Sequence, residues 1–93
     1  MDLTGITVRV LETKTTGAND FKTRSIHLKT EEQYPQTIEV QFTQGNVSLL
    51  EGIDPGQKLK IAINLKGREW TNPQGVTSVF NTLQGWKIEK LNN

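Results

Sequence analysis

The chain has 93 residues, a formal net charge of +1, 33% hydrophobic and 23% charged residues, and no cysteine. Without cysteine there is neither a disulfide framework nor a thiolate metal site. The single histidine, His27, would need carboxylates alone to complete a zinc site, so no metal and no other cofactor is expected.

The first ten residues, MDLTGITVRV, hold no basic n-region and no long apolar run, so no signal peptide is expected. No stretch approaches the roughly 20 apolar residues that span a bilayer. A soluble, cytoplasmic protein with no membrane partner is the expectation. The length suits one domain over residues 1–93. Burial is modest at this size, so a dimer or tetramer is expected, joined through a strand edge or the apolar part of the last strand. A net charge of +1 is low for a nucleic-acid binder. Its distribution is less even: basic residues gather at Lys22 and Arg24, at Lys58 and Lys60, and at Lys66 and Arg68.

From Thr4 to Thr13, Ile6, Val8 and Val10 alternate with Thr7, Arg9 and Leu11, which predicts a half-buried strand. Thr15 to Asp20 is a turn cluster. Phe21 to Thr30 predicts a second strand with Ile26 and Leu28 inward. Lys22 and Arg24 share that parity, so a twist or bulge is expected to bring them outside. Glu31 to Gln36 is a polar loop. Thr37 to Thr43 predicts a third strand with Ile38, Val40 and Phe42 on one face and Glu39 and Gln41 on the other.

Asn46 to Glu51 predicts one or two helical turns with Asn46 as N-cap. Gly52 and Asp54-Pro55-Gly56 then turn the chain. From Gln57 to Lys66 the alternation is the cleanest in the chain, with Leu59, Ile61, Ile63 and Leu65 inward. Gly67 to Ser78 is a hairpin turning at Asn72-Pro73-Gln74-Gly75, and Val79 to Lys90 is the fifth strand, with Phe80, Leu83, Trp86 and Ile88. Three strands, a short helix and two strands is the order of an all-β, five-stranded Greek-key barrel, the OB-fold, whose helix lies between strands three and four.

The segment IAINLKGREW (Ile61 to Trp70) and the TNPQG after it resemble the fourth strand and long hairpin of bacterial single-stranded-DNA-binding proteins. Leu65, Lys66, Arg68, Trp70, Thr71 and Gly75 stand at the places of that family's motif, with Lys66 for its first arginine. The spacing back through Asp54-Pro55-Gly56 to Phe42 is also similar, so the resemblance covers about Thr37 to Thr82. The whole chain also resembles a small group of bacterial and phage domains related to these proteins. Its marks here are E-E-Q-Y-P-Q (Glu31 to Gln36), G-R-E-W (Gly67 to Trp70) and F-N-T-L-Q-x-W (Phe80 to Trp86). The resemblance implies single-stranded DNA as partner. It departs at the start of strand three, where family members carry a tryptophan and this chain has Gln36 and Thr37. The family's disordered acidic tail is also missing after Leu91-Asn92-Asn93, so recruitment of partners through such a tail is not expected.

The residue chemistry agrees with the resemblance. Binding single strands without sequence preference calls for aromatic platforms under the bases and cations at the phosphates. Trp70 sits in a polar hairpin, and Arg68 shares its strand parity, so both side chains leave one face; the alternative is a Trp70 folded onto the barrel and an Arg68 paired with Glu69 or Glu39. Lys66, Lys22 and Arg24 are candidate phosphate contacts, or else a solvated edge. Tyr34 is a candidate second platform, or a loop anchor stacked on Pro35. Gln41 is a candidate for a base edge. Phe42 has core parity, although the resemblance makes it a platform. Phe80 and Trp86 read as structural, and His27 as an ordinary strand residue.

No glycine-rich phosphate loop is present, and one histidine cannot support a Ser/His/Asp arrangement, so no enzymatic activity is expected. The expected function is sequence-tolerant single-stranded DNA binding in replication, recombination or repair, in a phage or other mobile element among the contexts that the resemblance suggests. The alternative is a protein-interaction OB module, an assembly subunit of a replication complex.

Overall fold

The computed structural model describes residues 1–17 and 19–91. Ala18 of the expected turn cluster and the terminal Asn92 and Asn93 lie outside the described residues. The elements are β1 (Asp2–Val10), β2 (Lys14–Thr16), β3 (Phe21–Lys29), β4 (Thr37–Thr43), a 3-10 helix (Gln44–Leu50), β5 (Lys58–Thr71) and β6 (Thr77–Leu91). β2 carries on from β1 along the same neighbour, β3, so Thr15 and Thr16 belong to a strand and not to the turn.

The sheet runs β1-β5-β6-β4-β3-β2, and β1 also pairs with β3. That last pairing closes five strands into a ring, leaving unpaired edges on β2 and on the ribbon of β5 and β6. The fold is therefore the expected all-β, five-stranded Greek-key OB-fold barrel, with its short helix between the third and fourth barrel strands.

Alternation decides most of the interior. Ile26, Leu28, Val40, Phe42, Leu59, Ile61 and Ile63 are buried, and Leu50 of the helix and Ile53 join them. The helix starts two residues earlier than Asn46. Thr43 takes the N-cap position without a side-chain capping bond. Ser48 Oγ instead donates to Gly45 O at 3.0 Å within the turn, and Leu50 plugs the core.

Two bulges interrupt the alternation. In β1, Thr7 faces Leu28 and Arg9 faces His27, so Val8 is the extra residue. Inward parity switches there: Gly5 and Thr7 are buried before the bulge, and Val10 packs against the core after it. Ile6 and Val8, expected inward, are half-buried instead. In β6, Gly85 faces Ile63 and Lys87 faces Ala62, so Trp86 is the extra residue. Leu83 and Gly85 face inward before it and Ile88 after it. Phe80 and Trp86, read as structural, are thereby left outside, at 57% and 50% exposure. Leu65 keeps its inward parity, but β5 has run past the barrel at that point and Leu65 is 60% exposed.

The β3–β4 register has no shift, so no bulge moves Arg24 off its parity. Arg24 sits opposite the core residue Phe42, and its Nε donates to Leu11 O at 2.7 Å, which closes that end of the barrel.

Thr7 is 2% exposed, and its Oγ1 has no hydrogen-bond partner among the described residues. An unpaired buried hydroxyl costs about 1–3 kcal/mol. Thr7→Val keeps the branched shape and removes that cost. It is expected to raise the unfolding free energy by about 1 kcal/mol, read as a higher urea midpoint at an unchanged slope. A lower midpoint would show that the hydroxyl is satisfied.

Candidate nucleic-acid interface

The last eight residues of β5, Asn64 to Thr71, are exposed. They pair with β6 up to Thr71↔Thr77, so the two strands leave the barrel as a ribbon. The loop at its tip is tied internally. Asn72 Oδ1 accepts from Gln74 N at 3.0 Å and Val76 N at 2.9 Å, and Gly75 N donates to Asn72 O at 2.9 Å. Gly75 takes φ +83°, which a side chain would oppose. Thr71 Oγ1 and Thr77 Oγ1 share a bond of 3.0 Å just below. These bonds fix the turn, and the turn fixes the register of the ribbon.

In this register Trp70 faces Ser78, Arg68 faces Phe80 and Lys66 faces Thr82. Directly paired residues share a face, so Lys66, Arg68, Trp70 and Phe80 stand together on the side that continues the outside of the barrel. Arg68, Trp70, Phe80 and Thr82 line a shallow, open concavity of about 480 Å³. Trp70 is 49% exposed. Glu69 lies on the opposite face with Val79 and Leu65, which is why it does not pair with Arg68. Neither Lys66 nor Arg68 is held in an ion pair among the described residues.

Gln41 lies on the adjoining outer face, where it pairs with Gln84, and Gln84 Nε2 donates to Thr43 Oγ1 at 3.0 Å. The remaining candidates lie elsewhere. Lys22 borders the helix, its backbone N–H donating to Gln44 Oε1 at 3.1 Å. Arg24 shares a surface depression with Ser25 and Gln41. Tyr34 is exposed in the loop after β3. Glu31 of that loop pairs with Lys58 at 2.8 Å, at the start of β5, whereas Trp70 is near its end. The structure thus brings Trp70, Arg68 and Lys66 together, with Gln41 beside them, and leaves Tyr34 at the opposite end of the barrel.

Phe80 is the site residue that the sequence reading assigned to structure. Counting outward from the Asn72–Gly75 turn pairs it with Arg68, so the turn was the signal that would have found it.

Strands β3 and β4 present a different outer surface. Arg9 Nη1 donates to His27 Nδ1 at 2.8 Å. Arginine has no acceptor, so Nδ1 is bare, and Nε2–H donates to Glu39 Oε1 at 2.8 Å. His27 therefore joins two strands and fixes its own tautomer.

Among the described residues no three His, Asp or Glu side chains are grouped to hold a metal ion. No helix among them is long and apolar enough to cross a membrane.

The sequence model of the family described as domain of unknown function (DUF3127) matches residues 2–89. The chain belongs to this family. No curated protein matches the DUF3127 chain. Among solved structures, the mitochondrial single-stranded DNA binding protein Rim1 of S. cerevisiae superposes with a TM-score of 0.72 over 100% of this chain and 94% of that one, at 11% sequence identity. At that identity the likeness concerns the fold. It agrees with the OB-fold reading of the DUF3127 domain and adds nothing about individual side chains.

Proposed function

We propose that this domain binds single-stranded DNA with little sequence preference, on the outer face of the β5–β6 ribbon. The observation that carries the reading is the joint placement of Trp70, Phe80 and Arg68 around one open concavity. Trp70 and Phe80 are diagonal neighbours across the ribbon, a relation that sets side chains about 7–8 Å apart. A base about 3.4 Å thick fits between two rings at that separation, stacked on both. Arg68 and Lys66 flank the gap and are available to phosphates. Gln41 continues the polar surface beside the ribbon, whereas Lys22 beside the helix, Arg24 at the barrel end and Tyr34 belong to this reading only as outlying contacts. Roles in replication, recombination or repair, in the cytoplasm or in a phage, extend the same proposal.

The test compares labelled oligothymidine with a duplex of equal length. Preference for the single strand is expected, with log affinity falling by roughly 0.7 per phosphate contact for each log unit of salt. Equal affinity for the duplex, or no binding at low salt, overturns the reading. In that case the alternative, a protein-interaction module assembling a replication complex, has Leu65 and Val79 in its favour. They are exposed apolar side chains on the other face of the ribbon. The expected dimer or tetramer belongs with that face.

A further inference from the structure

We propose that the bound strand runs lengthwise down the outer face of β5 and β6, from the ribbon tip to the β6 bulge, and that Trp86 is its second stacking platform. This rests on the single-stranded-DNA reading above and adds to it a path and a residue.

The chain has six aromatic side chains. Phe42 alone is in the core. Of the other five, Trp70, Phe80 and Trp86 stand on one face of one pair of strands. Trp86 reaches that face only because of the bulge. Downstream of it, inward parity belongs to even-numbered residues such as Ile88; upstream, to Leu83 and Gly85. Trp86 falls between the two frames and is put outside. There it shares a depression with Ala62 and Lys87, both outward residues, and Ala62 is itself 9% exposed. Lys60, Asp2 and Glu89 line the same depression, and half of the Trp86 surface is open to solvent.

The surface between the platforms suits a nucleic-acid backbone. Asn64 faces Gln84 and Lys66 faces Thr82, all outward and polar, whereas Leu65 and Leu83 are on the other face. Ala62 to Trp70 is eight steps along the strand, about 26 Å at ~3.3 Å each. That distance accommodates several nucleotides, within the range covered by one OB domain. Beside Trp86, Lys60 is held by Asp2 at 3.6 Å, while Lys87 has no ion pair among the described residues and is the cation free to meet a phosphate.

The face of strands two and three that OB domains commonly use lacks these features here. β3 and β4 present Ser25, Gln41, His27 and Glu39, and the hydrogen bonds of His27 are already committed to Glu39 and to Arg9 of β1. Of their two aromatics, Phe42 is in the core and Phe21 lies at the start of β3, beyond the last β4 pair, Thr23↔Thr43.

The experiment uses Trp70→Phe, which keeps a ring at the tip and leaves Trp86 as the sole tryptophan. Its emission is expected to be quenched on saturation with an oligothymidine of about 12 nucleotides. Trp86→Ala, with folding checked by urea titration, is expected to weaken binding about fivefold to tenfold. Unchanged Trp86 emission at saturation, while the wild-type chain binds, overturns the path and leaves the ribbon-tip reading standing. Failure of the wild-type chain to bind overturns the reading beneath it. If Trp86→Ala converts an oligomer into a monomer and leaves affinity per protomer unchanged, Trp86 belongs to a protein interface and the proposal falls.

Discussion

Gly85→Ala is expected to lower the unfolding free energy by about 3 kcal/mol, the upper part of the usual cost of overpacking. A Cβ on Gly85 would sit 2.6 Å from Phe42 Cε2 and 2.9 Å from Cε1, and closer still to Cζ. Real side-chain contacts do not come that close, so the ring or the strand must move. Phe42 is fully buried among Ile26, Val40 and Leu50 and has nowhere to retreat. A domain of this length is stable by roughly 5–14 kcal/mol, so the change removes a large share. The expected readout is a lower urea midpoint. Phe42→Leu in the same chain should return part of the loss, because it clears the ring from the new methyl; the coupling is measured by a double-mutant cycle. An unchanged midpoint for the single variant would mean that the strand opens at Gly85 without cost.

For Trp70→Ala the effect should appear in binding and not in folding. Affinity for oligothymidine should fall by about 1–3 kcal/mol, some fivefold to 150-fold. The ring is half-exposed on a ribbon beyond the barrel, so the unfolding midpoint should move by no more than about 0.5 kcal/mol. Phe80→Ala should follow the same pattern if a base is held between the two rings. In the double variant the losses should then be less than additive, because the first removal already opens the sandwich. A Trp70→Ala chain that unfolds readily and binds as before would make the ring a structural element and remove the main support for the proposed site.

Period-two alternation determined the five barrel strands and most of the interior, and the order of those strands around one short helix pointed to the OB-fold. Ile26, Leu28, Val40, Phe42, Leu59, Ile61 and Ile63 are where their parity puts them, because a strand with one apolar face has only one way to bury it. Strand parity likewise determined that Arg68 and Trp70 emerge together on the polar hairpin. What only the tertiary structure decided is where parity fails. Thr7 is buried in place of Ile6, and Trp86 is exposed beside an inward Ile88, because each strand carries one extra residue at a bulge. In β6 that bulge keeps the one residue without a side chain, Gly85, against the ring of Phe42, 43 positions earlier in the chain. Such a contact leaves no local periodic trace. Leu65 has the right parity for the core, but the barrel ends before it, and barrel length is set by how five strands close on one another. Tyr34 is separated from Trp70 for a similar reason: the Glu31–Lys58 ion pair anchors its loop to the other end of β5, a distance that only the closed barrel defines.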